Sequence, residues 1–191
     1  MGKIIYDVSM SLDGFIAGAN VRPEAGLGDG GEQLHEWGFN SADLRNREIV
    51  ESWASTGAII VGRTTYDLSV PYWEADGPMG AARVPTVVVS HSVPKEIPDG
   101  SVYSFVDRVE AALEKAKKAA GDKDISIAGA NVAQQFLTLG LIEEVSIHLV
   151  PVLFGSGTPL FGHLDSKHIS LEIIEVIETA EVIHMRFRVV K

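Results

Sequence analysis

At 191 residues, with 46% hydrophobic and 22% charged, the chain has the length and composition of one well-filled globular core, and its apolar content argues against disorder. A formal net charge of −10 argues against nucleic acid as a partner, because phosphate contacts need clustered Lys and Arg; a few local cations and free N–H groups can still hold an anionic cofactor. With no cysteine there are no disulfides or thiolate metal sites, and the apolar stretch 145–154 is broken by Ser146, His148 and Pro151, far short of a bilayer span. The N-terminus shows no long apolar core of a signal peptide, so a cytoplasmic protein with no membrane partner is expected.

Residues 3–10 read as a first strand, followed by a glycine-rich stretch from Ala17 to Gly38 whose length suggests a functional loop. Ser41 resembles the N-cap of a helix through about Trp53, with Leu44, Ile49, Val50 and Trp53 near one face. Gly57 ends it, and Ala58-Ile59-Ile60-Val61 is an apolar run typical of a strand buried on both faces. A helix opens at Gly62-Arg63-Thr64-Thr65, and strands are expected at 84–89 and 102–106. Asp107 to Ala120 is the clearest helix, with Asp107 as N-cap, Glu110 completing a capping-box-like pair and Gly121 at its end. A strand over 124–128, a helix from Gly129-Ala130-Asn131 to Leu139 and a strand over 143–153 follow. Residues 171–177 and 182–190 read as a terminal antiparallel pair, Ile183, Met185, Phe187 and Val189 facing away from His184, Arg186 and Arg188. Strands alternating with helices and ending in a hairpin define one α/β domain, its sheet mostly parallel with antiparallel C-terminal strands.

Two junctions share one physical form: an apolar strand, a glycine, then a polar helix start. They are Gly62-Arg63-Thr64-Thr65 after AIIV and Gly129-Ala130-Asn131 after ISIA. A glycine lets a ligand approach, the helix-start N–H groups attract phosphate, and carboxyl ends of strands are where such sheets bind ligands. The same form also serves as a plain tight turn. Neither is a GxGxxG or Walker A loop, and Gly26 to Gly31 follows no strand, so that segment reads as a lid or an ordinary loop.

SMSLDGFIAG at 9–18, IIVGRTTYD at 59–67, VVVSHS at 87–92, IAGANVAQQFL at 127–137 and EEVSIHLVPVLFGSGTPLF at 143–161 stand in this order. Together they resemble the dihydrofolate reductase-like superfamily, in particular stand-alone proteins similar to the C-terminal reductase domain of riboflavin-biosynthesis deaminase-reductases. The resemblance implies a three-layer fold with NADPH across the carboxyl edge of the sheet. It places Gly62, Arg63, Thr64 and Thr65 at the diphosphate and adenosine side. Ser90 and His91 fall near the 2′-phosphate, with Arg63 as the selecting charge, and Gly129, Ala130, Asn131 and Val132 at the diphosphate and nicotinamide half. The family often has Gly-Gly where this chain has Ala128-Gly129. The implied activity is an NADPH-dependent reduction of a pterin-like or pyrimidine-ribityl compound, and homodimers are common in the family.

Asp13 in SLDG is the first candidate for a polar catalytic residue, although Asp-Gly is also an ordinary turn pair. Dihydrofolate reductases use an acid on the first helix to hold the pteridine; an ungapped count back from Gly62 puts Asn46 near that position, with Glu48 or Asp43 as substitutes in another register. That mismatch argues against dihydrofolate and leaves open a non-catalytic NADPH-binding protein or, less favoured, a true dihydrofolate reductase. His35 and Trp37 could line the substrate pocket, or the tryptophan could anchor the loop; Tyr72 and Trp73 could wall it or cap the core. His148 reads as a satisfied core histidine, and His163 and His168 lack a second ligand at helical spacing, so no metal site is expected.

Overall fold

The computed structural model describes residues 2–162, 164 and 168–191; His163 lies outside them. Its strands are β1 (Ile4–Ser11), β2 (Phe15–Ala17), β3 (Ala58–Gly62), β4 (Thr86–Val89), β5 (Tyr103–Val106), β6 (Ile125–Ala128), β7 (Glu144–Val150), β8 (Thr158–Pro159), β9 (Leu171–Glu178) and β10 (Ile183–Val189). The helices are α1 (Glu36–Asn40), α2 (Leu44–Ser52), α3 (Arg63–Trp73), α4 (Val109–Ala120) and α5 (Ala130–Thr138). Eight strands form one sheet in the order β5-β4-β3-β6-β1-β7-β10-β9, while β2 and β8 pair as a small ribbon. Six adjacent strands run parallel; β10 pairs antiparallel with β7 and β9 antiparallel with β10, so β10 alone opposes the others.

Strand period two sorts the side chains onto two faces. Tyr6, Ile60, Val87, Ile127 and Val145 join α4 and α5 in the main core, which Met185 and Phe187 of β10 also cover. On the opposite face Ile59, Val61 and Val88 pack with Tyr66 of α3, and Leu34, Trp37, Val150 and Val182 form a third cluster with Ile49, Val50 and Trp53 around α2. The amphipathic stripe of α4 is the clearest in the sequence, and its Val109, Ala112, Leu113, Ala116 and Ala120 are all buried.

Several boundaries differ from the sequence expectation for local reasons. The cap of α2 is Asp43, whose carboxylate accepts from the Arg45 N–H at 2.9 Å; Ser41 instead accepts from the Asp43 N–H and the Asn46 amide. Arg108 occupies the cap position of α4 with no side-chain bond, and Asp107 pairs with Arg108 at 3.5 Å rather than closing a capping box. β7 stops at Val150 because Pro151 offers no N–H to a ladder. The glycine-rich stretch is folded: Gly18 N–H bonds Leu27 C=O, Asp29 N–H bonds Ala19 C=O, and Asn20 and Arg22 both hold the Asp29 carboxylate. It closes against β8 through Gly157, where a Cβ would stand 2.0 Å from the Ala17 carbonyl oxygen.

Candidate active site

Because β3 and β6 are hydrogen-bonded neighbours with Val61 opposite Ala128, the two glycine turns that follow them sit side by side at the carboxyl edge. Gly62 caps α3 and Gly129 caps α5, and neither helix start carries a side-chain cap, so their first N–H groups stay available to a ligand. Gly129 has φ +94°, and a Cβ there would lie 2.3 Å from Thr65 Oγ1. Glycine is therefore what allows the second turn to touch the first. At Gly62 an added Cβ would meet nothing nearer than 3.9 Å, leaving open space beside the cleft.

Arg63 reaches from the first turn of α3 to the end of β4. Its Nε bonds the Asp67 carboxylate at 2.7 Å, and its Nη1 donates to the Ser92 carbonyl at 3.0 Å and to the Ser90 and Ser92 hydroxyls at 3.3 Å each. One cation and two hydroxyls thus converge at an exposed strand end. His91 lies exposed beside them and, with Asn131 and Gln135 of α5, lines a groove of about 560 Å³ running toward the start of α4. The fit to a phosphate-bearing dinucleotide rests on these parts: uncapped helix starts, a close glycine approach, a paired guanidinium and a groove.

The polar residues expected to do chemistry are used differently. The Asp13 carboxylate accepts from Ser11 Oγ at 2.6 Å and from the Phe154 and Gly155 N–H groups at 3.1 and 2.7 Å. The Ser11 hydroxyl, and then the two amides, hold its pKa below the ordinary carboxylate value. Asp13 stays ionised and ties the loop after β1 to the loop after β7, which suits an anchor rather than a proton donor. Glu48 is exposed on α2 while Asn46, two residues earlier and on the opposite side of the helix, is fully buried toward the sheet. The register that would have made Glu48 the helix acid is corrected on this point: the residue facing inward is Asn46. Its amide donates to Ser41 Oγ at 2.9 Å and Glu181 Oε2 at 2.8 Å, and its oxygen meets His184 Nε2 at 2.8 Å.

Trp37 is buried with its indole N–H donating to Ser9 Oγ at 3.1 Å, and its ring packs on Trp53, His148 and His184. It anchors the end of the glycine-rich loop. His35 is half-buried next to this cluster, and burial followed by the facing His148 pushes its pKa down. His148 is a satisfied buried histidine, bonded through Nδ1 to His184 Nδ1 at 2.7 Å and through Nε2 to Asp7 Oδ1 at 3.1 Å. Sequence reasoning missed Asp7; a charged residue at a sheet-facing position of an otherwise apolar strand was the signal that could have found it. Among the described residues no cluster of metal-ligating side chains occurs, and no helix is long and apolar enough to cross a membrane.

A mostly parallel sheet with antiparallel C-terminal strands, helices on both faces and paired glycine turns at its carboxyl edge defines a reductase-type α/β protein of dihydrofolate reductase-like fold. The family model of the RibD C-terminal domain matches residues 2–185, and the chain belongs to that family. YyaP of Bacillus subtilis (strain 168), itself uncharacterized, is 29% identical over 168 residues, covering 83% of this chain and 80% of YyaP. A Shewanella sp. PV-4 protein assigned to riboflavin biosynthesis is 25% identical, with a TM-score of 0.70 and full coverage of both chains. In fold alone the chain is also similar to the Thermotoga maritima deaminase/5-amino-6-(5-phosphoribosylamino)uracil reductase (14% identity, TM-score 0.67, 99% of this chain and 57% of that one). It is similar in the same sense to Enterococcus faecalis dihydrofolate reductase complexed with NADP(H) (14%, 0.61, 100% and 98%).

Proposed function

We propose that this RibD-type reductase uses NADPH to reduce a pterin-like or pyrimidine-ribityl compound. The observation that carries the cofactor reading is Arg63, turned across the carboxyl edge to Ser90 and Ser92 beside two uncapped helix starts. Bound in that cleft, the reduced nicotinamide supplies the hydride. The chain's own part is positional. Arg63, Ser90 and Ser92 bind a 2′-phosphate by charge and hydroxyl donation, with His91 flanking it. The first N–H groups of α3 and α5, with Thr64, Thr65, Ala130, Asn131 and Val132 around them, hold the diphosphate. Asp13 fixes the two loops that border the cleft. His35 and Trp37 belong to the substrate side in this reading, with Trp37 the buried anchor of the glycine-rich loop.

Dihydrofolate is disfavoured as substrate because the inward residue of α2 is the uncharged Asn46, already bonded to Ser41, Glu181 and His184. Titration calorimetry with NADPH and NADH tests the reading. NADPH should bind and Arg63→Ala should weaken it about 10- to 100-fold, the range of a lost charge-assisted bond, while leaving NADH nearly unchanged. Failure of both nucleotides to bind refutes it.

Assembly as a homodimer belongs to the same reading, and β9 supports it. This edge strand leaves Ile173 and Val176 71% and 55% exposed, with Leu171 and Ile174 also open, a surface that isolated monomers seldom present.

A further inference from the structure

Arg63, the cation assigned to the 2′-phosphate, already stands in an ion pair. Asp67 lies one helical turn further along α3, and both of its carboxylate oxygens accept from Arg63 Nε, at 2.7 and 2.8 Å. The pair is open to solvent, with 34% of the arginine side chain and 49% of the aspartate exposed. Helix stability does not account for it. A cation in the first turn opposes the helix dipole, a cation four residues before an acid is the weaker order, and exposed pairs contribute little.

The hydrogen bonds show what the pair does to the guanidinium. Nε is committed to Asp67, and Nη1 to the Ser92 carbonyl at 3.0 Å and the Ser90 and Ser92 hydroxyls at 3.3 Å each. Nη2 donates to none of the described residues. The serine side is fixed as well: Ser90 Oγ donates to the Ser92 carbonyl at 2.6 Å and accepts from the Ser92 N–H at 3.3 Å. The planar fork is therefore held from two sides, with Nη2 left for an incoming oxyanion.

Its charge, however, is offset in place. Asp107, Arg108 and Glu110 line the groove beside His91, and Arg108 is itself paired with Asp107 at 3.5 Å. Along this end of the cleft Arg63 and Arg108 thus stand against Asp67, Asp107 and Glu110. A site that selects phosphate by net charge needs the opposite balance.

We propose that Asp67 is a specificity-determining residue that holds down the preference for NADPH over NADH, cancelling much of the charge Arg63 presents to the 2′-phosphate while keeping the guanidinium in place. This role rests on the nucleotide reading of the cleft and adds what sets its margin. With Asp67 ionised, discrimination comes from short-range bonds at Nη2 and the serines. With that charge removed, a longer-range attraction that salt screens is added to them. NADH carries a hydroxyl in place of the phosphate and is indifferent to the change.

Titration calorimetry with NADPH and NADH on the wild type and Asp67→Asn is the test. The asparagine keeps an acceptor for Arg63 Nε and removes the charge. Asp67→Asn should bind NADPH about 2- to 5-fold more tightly near physiological salt, with NADH unchanged, and the gain should shrink as salt rises. The Arg63→Ala background separates charge from positioning: Asp67→Asn should tighten NADPH there too, although no guanidinium remains to be held. Equal or weaker NADPH binding in Asp67→Asn, a gain that salt does not change, or no gain in the Arg63→Ala background overturns the proposal and leaves the cofactor reading standing. A wild type that binds neither nucleotide removes both.

Discussion

Substituting Gly129 by alanine probes the contact on which the double turn depends. Gly129 has φ +94° and ψ 136°, a conformation that costs a residue with a Cβ about 1–3 kcal/mol. The new Cβ would also stand 2.3 Å from Thr65 Oγ1, close enough that the threonine must leave its rotamer, at about 0.5–1.5 kcal/mol. The expected loss of stability is therefore roughly 2–4 kcal/mol, a fall in Tm of about 5–15 °C for a chain of this size. Urea denaturation followed by circular dichroism measures it, with an unchanged m-value showing that the folded state, not the unfolded one, was altered. The Thr65→Ala background separates the two terms, since the next Thr65 atom, Cβ, lies at an ordinary 3.4 Å. There the cost of Gly129→Ala should drop by the steric part and keep the backbone part. A Gly129→Ala protein within 0.5 kcal/mol of wild type would refute the argument, and so would an identical cost in both backgrounds.

The depressed pKa of His184 sets a pH dependence. Burial holds the folded imidazole neutral to about pH 4 against an ordinary 6.5, so the stabilisation is complete above 6.5 and lost as pH falls toward 4. Between pH 6.5 and 5 the loss should be about 1.5 kcal/mol, with His35 adding in the same direction, and His184→Asn should flatten that slope in denaturation curves. Glu48→Ala should change stability by less than about 0.5 kcal/mol and leave nucleotide affinity alone, because the side chain points to solvent; a loss of either would restore it as a site residue. Ile173→Lys on β9 should give a monomer in sedimentation velocity where the wild type sediments as a dimer, and an unchanged sedimentation coefficient would remove β9 from the interface.

The fold was legible because its signals are local and repeated. Ala58 to Val61 is a short apolar run and Ile125 to Ala128 a mostly apolar one, each followed by glycine, and Val109, Leu113 and Ala116 keep helical spacing, so neighbouring residues decide each element. The two βα turns were legible for the same reason, and strand adjacency then brings Gly129 against Thr65. What strand pairing alone decides was not legible. Asp13 has one partner nearby in sequence, Ser11, but its other partners, the Phe154 and Gly155 N–H groups, come from the loop after β7.

Asp7 shows why a polar site on a sheet escapes a motif search. No spacing links it to His148, 141 positions away, or His148 to His184, 36 positions further. Each looks like an isolated polar residue in an apolar strand, and isolated polar residues in strands are usually satisfied core groups. His148 is one, and that reading was right. Only the three-dimensional chain Asn46–His184–His148–Asp7 joins them, and its links come from α2, β10, β7 and β1. The substitution of Asn46 for an acid on α2 and the presence of Asp7 on β1 are then two ends of one hydrogen-bonded chain. Replacing Asn46 by Asp would place a second carboxylate on His184 Nε2 and beside Glu181. It should raise the His184 pKa, which nitrogen NMR on histidine-labelled protein followed across pH measures. A His184 titration left unchanged in Asn46→Asp would show that the carboxamide contact does not set the state of that ring.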